Sequence, residues 1–526
     1  MRLAPVSSLP EKEIPNTGRE HLNSEIVRPD HTVFMKLFST IFLLIVCSCA
    51  MGCSAARTLS FPDVALSRTP QEIRYDVNGD GRADFALQAD ADNRTTTLAY
   101  AHKQDGRYDR IYRINDYAPD SVPHLIILLD SIPYQCVLDF YNAGRFSWFP
   151  PPQKVIAPFP TMSAVIFNQI LQAPPLAGTN NYFYDQRTNR ICNRFWDAAT
   201  GGKTTWQRYL HYNADYMREG LGFINTRKTF RRELESIKQT FDQSPDRVTI
   251  VYVVSSAAMA CKYGRQGIDD CLREVERLCL QLLWERQGAL KISLLADHGH
   301  NLTPSQFVSI KNILNEAGFA VRDKIQSDTD IVIDTEGLVT YAGIHTRRPA
   351  AVADVLLQKP QTQLALYMDG ERVIVRDNRG SAAIEKKGGK IRYVAIDRDV
   401  LNYQPVVSLL TMSGKADAEG FASSDDWFIA TVDHEWPNAP PRIWDAFHGI
   451  VVCPSDLMIT LKDGYVSGYP LFKAFIDMAS SHGGLNQVNS ATFLLSMTGR
   501  ATRPLRSGEV LQTIEPGYVP AIRPGK

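Results

Sequence analysis

The chain contains the uninterrupted apolar run His124-Leu-Ile-Ile-Leu-Leu129, which is followed at once by Asp130. Similar runs occur at 249–254 and at 291–296, and the later one ends in Asp297-His298. Continuous apolar strands are typical of a parallel sheet that is covered on both faces. Between the two later runs, apolar residues recur with helical spacing opposite a charged face. Strand, helix and strand in this order predict an α/β fold with a mostly parallel central sheet and helices on both faces.

Composition limits the class of protein. Among the 526 residues, 57 are Lys or Arg and 57 are Asp or Glu, so the formal charge is zero. A nucleic-acid scaffold needs surplus positive charge, and we therefore expect no such binding. Hydrophobic residues make up 44% and charged residues 22% of the chain, which is ordinary for a folded protein. The cysteines beyond the amino end show no metal or disulfide spacing.

A targeting signal is predicted near the amino end. A lysine precedes an apolar stretch at 37–46, and small residues and cysteines follow, as in a secretory signal peptide. The tetrapeptide Ala-Met-Gly-Cys that ends at Cys53 resembles a bacterial lipobox, and residues 46–49 are a second candidate. An uncleaved membrane anchor is the alternative, because residues 37–56 carry no charge. Either alternative predicts a membrane-anchored protein outside the cytoplasm, and the favoured one is a lipoprotein of the periplasm or the cell surface.

A short acidic loop precedes the α/β region. It has Asp76, Asn78, Asp80 and Asp84 at loop positions 1, 3, 5 and 9, with a glycine at position 6. Oxygen ligands at this spacing are typical of calcium loops, and the pattern resembles those of dockerin-like and integrin-like repeats. We expect a structural calcium ion here without a catalytic role. The usual glutamate at position 12 is replaced by Leu87, and the alternative is an Asx-rich turn between strands.

Side chains that can bind a metal follow the predicted strands. Asp130 and Asp297-His298 stand at the carboxyl ends of apolar runs, which is the edge where open α/β sheets bind ligands. Carboxylates and imidazoles bind Zn²⁺ or a similar divalent ion. Thr161 precedes an apolar helical stretch, and a hydroxyl beside a metal and a helix N-terminus can attack an anionic substrate. The simpler alternative for each residue is a helix cap or a turn.

Five fragments of the chain resemble the alkaline phosphatase superfamily, most closely its type I phosphodiesterase/nucleotide pyrophosphatase branch. They lie in the family's order within residues 120–500. The fragments are Leu-Leu-Asp130-Ser, Phe-Pro-Thr161-Met-Ser, Asn181-Tyr-Phe-Tyr-Asp, Ala-Asp297-His298-Gly and Ser-His482-Gly. The resemblance implies an alkaline-phosphatase-like fold and hydrolysis of a phosphate ester, with phosphodiesters favoured over monoesters.

The resemblance also implies a role for each residue. The implied ligands of a divalent metal, Zn²⁺ by expectation, are Asp130, Thr161, Asp297, His298 and His482. Thr161 is implied to be the nucleophile, and Asn181 is implied to bind a phosphate oxygen.

One segment of this chain departs from the family's pattern. The family has an aspartate and a histidine where this chain has Ala257 and Cys261. Together with His482, those residues would form one of two metal sites. We therefore keep two hypotheses, a metal-dependent phosphate-ester hydrolase and a degenerate, weakly active or inactive member that acts as a surface binding protein. His300 has no partner at metal-binding spacing and is interpreted as structural.

The domain organisation follows from these segments. Residues 1–34 are predicted to be disordered or to be an extension upstream of the true start. The further segments are a signal peptide with lipobox at 35–53, an N-terminal segment with the calcium-like loop at 54–118, a first part of the catalytic core at 119–345, a β-rich insertion or cap at 346–445, a second part of the core at 446–500 and a tail at 501–526.

Overall fold

A computed structural model describes residues 59–92, 94–103, 107–180, 182–192, 205–214, 225–334, 337–468 and 477–523. All of them belong to one structural unit, Arg57–Lys526. The segment predicted to target the protein, which includes Cys53, lies outside the described residues. Within the described ranges, no helix is long and apolar enough to cross a membrane.

The regular elements are numbered here in chain order. The strands are β1 (Ser67–Arg68), β2 (Glu72–Tyr75), β3 (Phe85–Ala89), β4 (Thr95–Tyr100), β5 (Arg110–Arg113), β6 (His124–Leu129), β7 (Gln153–Ile156), β8 (Phe183–Asp185), β9 (Arg190–Cys192), β10 (Val248–Val253), β11 (Lys291–Ala296), β12 (Gln306–Phe307), β13 (Ala320–Val321), β14 (Asp330–Ile333), β15 (Leu338–Val339), β16 (Tyr341–His345), β17 (Thr362–Asp369), β18 (Arg372–Arg376), β19 (Ser381–Lys387), β20 (Lys390–Ala395), β21 (Leu457–Leu461), β22 (Tyr465–Gly468), β23 (Ala491–Ser496) and β24 (Leu505–Arg506). The helices are α1 (Tyr134–Asn142), α2 (Ser163–Ile170), α3 (Thr226–Gln243), α4 (Ser255–Glu285), α5 (Ile310–Glu316), α6 (Pro349–Leu357), α7 (Gln404–Met412), α8 (Ser424–Thr431), α9 (Ala439–Phe447), α10 (Gln487–Ser490) and α11 (Val510–Ile514).

A six-stranded sheet contains the three apolar runs. Its strand order is β10-β6-β11-β23-β7-β24. Strands β10, β6 and β11 are parallel neighbours, and Leu129 at the end of β6 pairs with Val253 on one side and with Ala296 on the other. The carboxyl ends of these strands therefore lie side by side at one edge of the sheet, as the apolar runs predict.

Both faces of this sheet are covered. Along β6, Ile126 and Leu128 belong to one hydrophobic cluster together with residues of α2, and the alternate residues Leu125, Ile127 and Leu129 belong to another together with residues of α4. Successive side chains of a strand point to opposite faces, so the run is apolar throughout because each face meets its own layer.

The strand directions differ in part from the prediction. An α/β fold is confirmed, but the sheets are mixed and, taken together, not mostly parallel. Within the six-stranded sheet, β23 runs antiparallel to β11 and to β7. A second sheet has the order β13-β14-β16-β21-β17-β18-β19-β20 and is antiparallel except for the pair β13 and β14. Short turns within residues 362–395 join consecutive strands, and short turns enforce antiparallel pairing.

The stretch predicted as a β-rich insertion forms the hairpins β17–β18 and β19–β20. The second hairpin turns at Gly388 and Gly389, which have φ values of 58° and 80° that favour glycine. Strand β17 also pairs with β21, so this sheet extends beyond residues 346–445 into both flanking segments. The predicted domain boundaries remain a prediction.

A separate antiparallel sheet, β1-β2-β3-β4-β5, forms the N-terminal part of the unit. Its aromatic residues pack on the long helix α4, where the rings of Tyr100 and Trp284 are stacked with their centroids 5.7 Å apart. The loop predicted to bind calcium connects β2 to β3.

Candidate metal centre

Asp130, Asp297 and His298 meet at the edge of the six-stranded sheet. Asp130 follows β6 and Asp297-His298 follows β11, and the aligned ends of these parallel strands bring the side chains together. One ligand atom from each residue lies within 4.8 Å of the other two, and all three residues are buried. His298 Nε2 is 3.3 Å from Asp297 Oδ2 and 4.0 Å from Asp130 Oδ1. The sequence predicted these three residues as metal ligands, and the fold brings them into one group.

The backbone after β6 holds the two carboxylates. Ser131 has a φ of 65°, an uncommon conformation for a residue other than glycine that is often found at functional sites. Its N–H donates to Asp297 Oδ1 at 3.0 Å, and its hydroxyl donates to Asp130 Oδ1 at 2.7 Å. The N–H of His298 also donates to Asp297 Oδ1, at 2.8 Å. These donors use one oxygen of Asp297, and the second oxygen, Oδ2, is buried without a hydrogen-bond partner among the residues that the structure describes.

Two residues from neighbouring elements orient Asp130. The Tyr252 hydroxyl, on β10, donates to Asp130 Oδ2. The backbone N–H of Asp130 donates to the Ser256 hydroxyl, in the first turn of α4, at 2.8 Å. Sequence analysis missed both, because Tyr252 stands in an apolar run and Ser256 follows it without any motif.

The electrostatics of the group favour a bound cation. Burial raises the pKa of Asp297 well above its usual range, and the nearby charge of Asp130 raises it further. Burial lowers the pKa of His298, which keeps its imidazole neutral. Among the described residues, His298 is the only ion-pair partner of either carboxylate. Two buried carboxylates without a cationic partner are costly, and a divalent ion relieves that cost.

The donor set fits a divalent metal. Two carboxylates and one imidazole are ligands that Zn²⁺ and similar ions accept. The His298 Nδ1–H donates to the Gly299 carbonyl at 2.8 Å, which leaves Nε2 with a free lone pair toward the carboxylates. The unpartnered Asp297 Oδ2 provides the second ligand atom at the same place.

The glycine after His298 is required by close packing. A Cβ atom on Gly299 would lie 2.1 Å from the Val488 carbonyl oxygen, which is far inside contact distance. The N–H of Gly299 donates to the Asn489 carbonyl at 3.0 Å. The Asp-His-Gly motif thus combines two ligands with the one residue that lets this loop approach α10.

The Ser163 hydroxyl contacts two of the candidate metal ligands, whereas the Thr161 hydroxyl is engaged by a neighbouring loop. Ser163 is the first residue of α2, and its Oγ lies 3.3 Å from His298 Nε2 and donates to Asp130 Oδ2 at 3.4 Å. Thr161 is fully buried; its hydroxyl donates to the Gly484 carbonyl at 3.1 Å and accepts from the Gly483 N–H at 2.9 Å. These two hydrogen bonds attach the segment before α2 to the loop that carries His482.

His482 lies beside the three ligands and outside their group. Its ring stacks on the ring of His298 with centroids 4.1 Å apart and planes at 19°. Its Nδ1 donates to the Thr161 carbonyl at 2.9 Å, so Nε2 carries the lone pair. Burial, with a further contribution from His298, lowers the pKa of His482 to about 3 and keeps it neutral.

Two further predictions concern residues away from this group. Asn181, implied to bind a phosphate oxygen, lies outside the described residues. In the acidic loop, Asp76 accepts hydrogen bonds from the N–H groups of Gly79, Asp80 and Gly81, and Asp84 accepts from those of Val77 and Asn78. These contacts are those of an Asx-rich turn, the alternative reading. Calcium binding by Asp76, Asn78, Asp80 and Asp84 remains a prediction.

Neither protein-family models nor curated proteins yield a match to this chain.

Proposed function

We propose that this chain is a metal-dependent hydrolase of phosphate esters, with phosphodiesters favoured, and a member of the alkaline phosphatase superfamily. One observation carries the proposal. The buried group of Asp130, Asp297 and His298 contains an unpartnered carboxylate oxygen, and the Ser163 hydroxyl lies 3.3 Å from His298 Nε2. A metal-binding group beside a hydroxyl at the start of a helix is the arrangement that phosphoryl transfer through a covalent intermediate needs.

Asp130, Asp297 and His298 would hold the metal. When bound, a divalent ion supplies Lewis acidity, which lowers the pKa of a neighbouring hydroxyl and offsets negative charge on the phosphoryl group.

Ser163 is the proposed nucleophile. Its hydroxyl already donates to Asp130 Oδ2, so a proton acceptor is in contact with it. Attack by Ser163 Oγ on the phosphorus of a diester would form a serine–phosphate ester as the bond to the leaving alcohol breaks, and the Ser163 proton, accepted by Asp130 Oδ2, would pass to the leaving oxygen. Water would then hydrolyse the serine ester, which releases a phosphate monoester and restores the Ser163 hydroxyl. Ser163 is the first residue of α2, and N–H groups at a helix N-terminus would stabilise the negative oxygens of a phosphoryl group bound there. Geometry therefore favours Ser163 over Thr161, whose hydroxyl is used by Gly483 and Gly484.

A surface binding protein is the second candidate. The absence of the family's ligands at Ala257 and Cys261 favours it. Such a protein would bind a phosphorylated glycan, lipid or partner protein at the strand edge without turning it over. Both functions are proposed for a lipid-anchored protein outside the cytoplasm. Fatty-acid labelling that is lost in Cys53→Ser would support this location.

The deciding experiment measures metal content and turnover in the same preparation. The purified full chain is analysed for bound metal and assayed with an aryl phosphate diester before and after removal of metal by a chelator. Bound metal together with chelator-sensitive hydrolysis supports the hydrolase, and both should be lost in Asp297→Asn. Ser408→Ala, in the exposed helix α7, is a matched control that should change neither. A metal-free and inert wild-type protein would exclude the hydrolase and leave the binding protein.

A further inference from the structure

Three buried oxygen atoms converge beside Gly343 on β16. A Cβ atom on Gly343 would lie within 3.0 Å of Asp334 Oδ1, the Ser455 hydroxyl and the Tyr341 hydroxyl. Asp334 and Ser455 are each 1% exposed, and Tyr341 is fully buried. Asp334 follows β14, Tyr341 begins β16, and Ser455 precedes β21. Three separate segments of the chain therefore direct oxygen atoms to one enclosed point.

These oxygens lack hydrogen-bond partners among the residues that the structure describes. Asp334 Oδ1 and the hydroxyls of Tyr341 and Ser455 are all buried and unpartnered. The Tyr341 hydroxyl is close to the hydroxyls of Ser455 and Thr179, but no pair of these atoms has the geometry of a hydrogen bond. Native proteins almost always satisfy buried polar groups, with protein atoms, ordered water or an ion. A concentration of unsatisfied oxygens at one point therefore indicates a bound species.

An ionised Asp334 has no cationic partner at this point. Its Oδ2 accepts a hydrogen bond from His345 Nε2 at 3.0 Å, and His345 is its only ion-pair partner within the described part of the chain. The other ring nitrogen, Nδ1, faces the amide N–H₂ of Gln186, a donor, at 3.4 Å. The Asp456 carboxylate is 3.8 Å from Nδ1, beyond hydrogen-bond distance. The His345 imidazole thus carries one proton, on Nε2, and is neutral.

The donor set defines the class of ligand. One carboxylate oxygen and two hydroxyl oxygens suit a hard cation. A water molecule would supply hydrogen bonds but would leave the charge of Asp334 unpaired. A single carboxylate neutralises one positive charge, and a divalent ion would leave a buried charge uncompensated. Because the oxygens are almost completely enclosed, the occupant is a bare inorganic ion.

We propose that Asp334, Tyr341 and Ser455 bind a monovalent inorganic cation, Na⁺ or K⁺, at this point. The ion joins the end of β14, the start of β16 and the segment before β21. The N–H of Thr340, directly before β16, donates to the His482 carbonyl at 2.7 Å. The ion therefore stabilises the strand to which the loop that carries His482 is hydrogen-bonded.

Thermal unfolding of the full chain in different salts tests the site. At equal ionic strength, we expect Tm to be about 2 °C higher in NaCl or KCl than in choline chloride, whose cation is too large for an enclosed site. The increase should saturate with salt concentration and disappear in Asp334→Asn. Asp369→Asn, at the exposed end of β17, is the matched control and should keep the increase. Equal Tm values in the three salts would overturn the proposal.

A second variant decides the question if Asp334→Asn does not fold. Ser455→Ala removes one hydroxyl ligand and keeps the charge, so the Na⁺ concentration that gives half of the increase in Tm should rise by about tenfold. Ser408→Ala, on the exposed face of α7, should leave that concentration unchanged. An unchanged concentration in Ser455→Ala contradicts the proposal.

The cation site is independent of the Asp130 group. Asp297→Asn, which disables that group, should keep the full response of Tm to Na⁺. Failure of the proposed hydrolase and failure of this site are therefore distinguishable.

Discussion

The Ser163 hydroxyl lies 3.3 Å from His298 Nε2, whereas the Thr161 hydroxyl, two residues earlier, is enclosed by the loop that carries His482. The two hydroxyls therefore have different surroundings. Ser163 faces the metal ligands and is half-buried, so a substrate can reach it. Thr161 is fully buried and joins the start of α2 to the loop.

Substitution of these two hydroxyls separates their roles. In Ser163→Ala we expect kcat on an aryl phosphate diester to fall by a factor of about a thousand or more, because the proposed nucleophile is removed, while bound metal and Tm stay close to the wild type. Hydrolysis and metal content measured on one preparation check this. Near-normal turnover in Ser163→Ala would rule out Ser163 as the nucleophile.

Thr161→Val should instead lower stability. It removes two buried hydrogen bonds and leaves the Gly483 N–H and the Gly484 carbonyl without partners, which costs about 1–3 kcal/mol for each group. Denaturant unfolding measures the loss. If Thr161→Val keeps its stability but abolishes turnover, Thr161 is the nucleophile, as the family resemblance implies.

Tyr252 should act through Asp130. The Tyr252→Phe variant loses the hydrogen bond to Asp130 Oδ2 and keeps the aromatic ring. We therefore expect the affinity of the Asp130, Asp297 and His298 group for a metal to fall by about 10–100-fold, with little change in the fold. Competition with a chelator measures the affinity. Tyr141→Phe, whose hydroxyl donates to the Phe149 carbonyl away from the site, is the control. Equal affinities in the two variants would mean that Tyr252 does not position the ligand.

The low pKa of the Glu515 carboxyl predicts that the folded protein loses stability in acid. Burial alone would raise its pKa, but hydrogen bonds from His124 at 2.5 Å and from Arg247 outweigh burial and lower it to about 2. A carboxylate whose pKa is lower in the folded state stabilises the fold above its unfolded pKa. This stability is therefore complete above about pH 4.5 and disappears as the pH falls toward 2.

Unfolding measured against pH checks the role of Glu515. The acid-dependent loss in this interval should shrink in Glu515→Gln, which is already destabilised at pH 7. Glu419→Gln, which changes an exposed partner of Lys387, should behave like the wild type. An unchanged pH profile in Glu515→Gln would show that other groups govern acid unfolding.

If the Asp130, Asp297 and His298 group holds the proposed ion, a chelator should lower the stability of the protein more than it changes the fold. Without a cation, Asp130 and Asp297 are buried close together, and burial together with the charge of Asp130 raises the pKa of Asp297, which makes its ionised form costly. We expect chelation to lower Tm at neutral pH, and the decrease to become smaller in Asp297→Asn, which has no charge to neutralise. A chelator that leaves the wild-type Tm unchanged would argue against a tightly bound ion.

The sequence by itself was enough to predict that the candidate metal ligands lie together at one edge of a sheet. Asp130, Asp297 and His298 directly follow apolar runs, and such runs form neighbouring parallel strands whose carboxyl ends meet at one edge. The α/β class and the hairpins of residues 362–395 follow equally from local pattern, because periodicity and turn glycines act over a few residues. None of these predictions needs long-range information.

Only the tertiary structure decided the partners of these residues. Tyr252 reaches Asp130 because β10 pairs with β6, and His300 meets Cys261 because the strand-end loop packs against the kinked start of α4. Ser163 rather than Thr161 faces the ligands because the loop at 483–484 engages the Thr161 hydroxyl. The antiparallel β23 also enters the sheet from nearly 200 residues beyond β11. Such contacts join segments that are distant in the chain, and they form where burial of apolar faces brings those segments together, which no local pattern encodes.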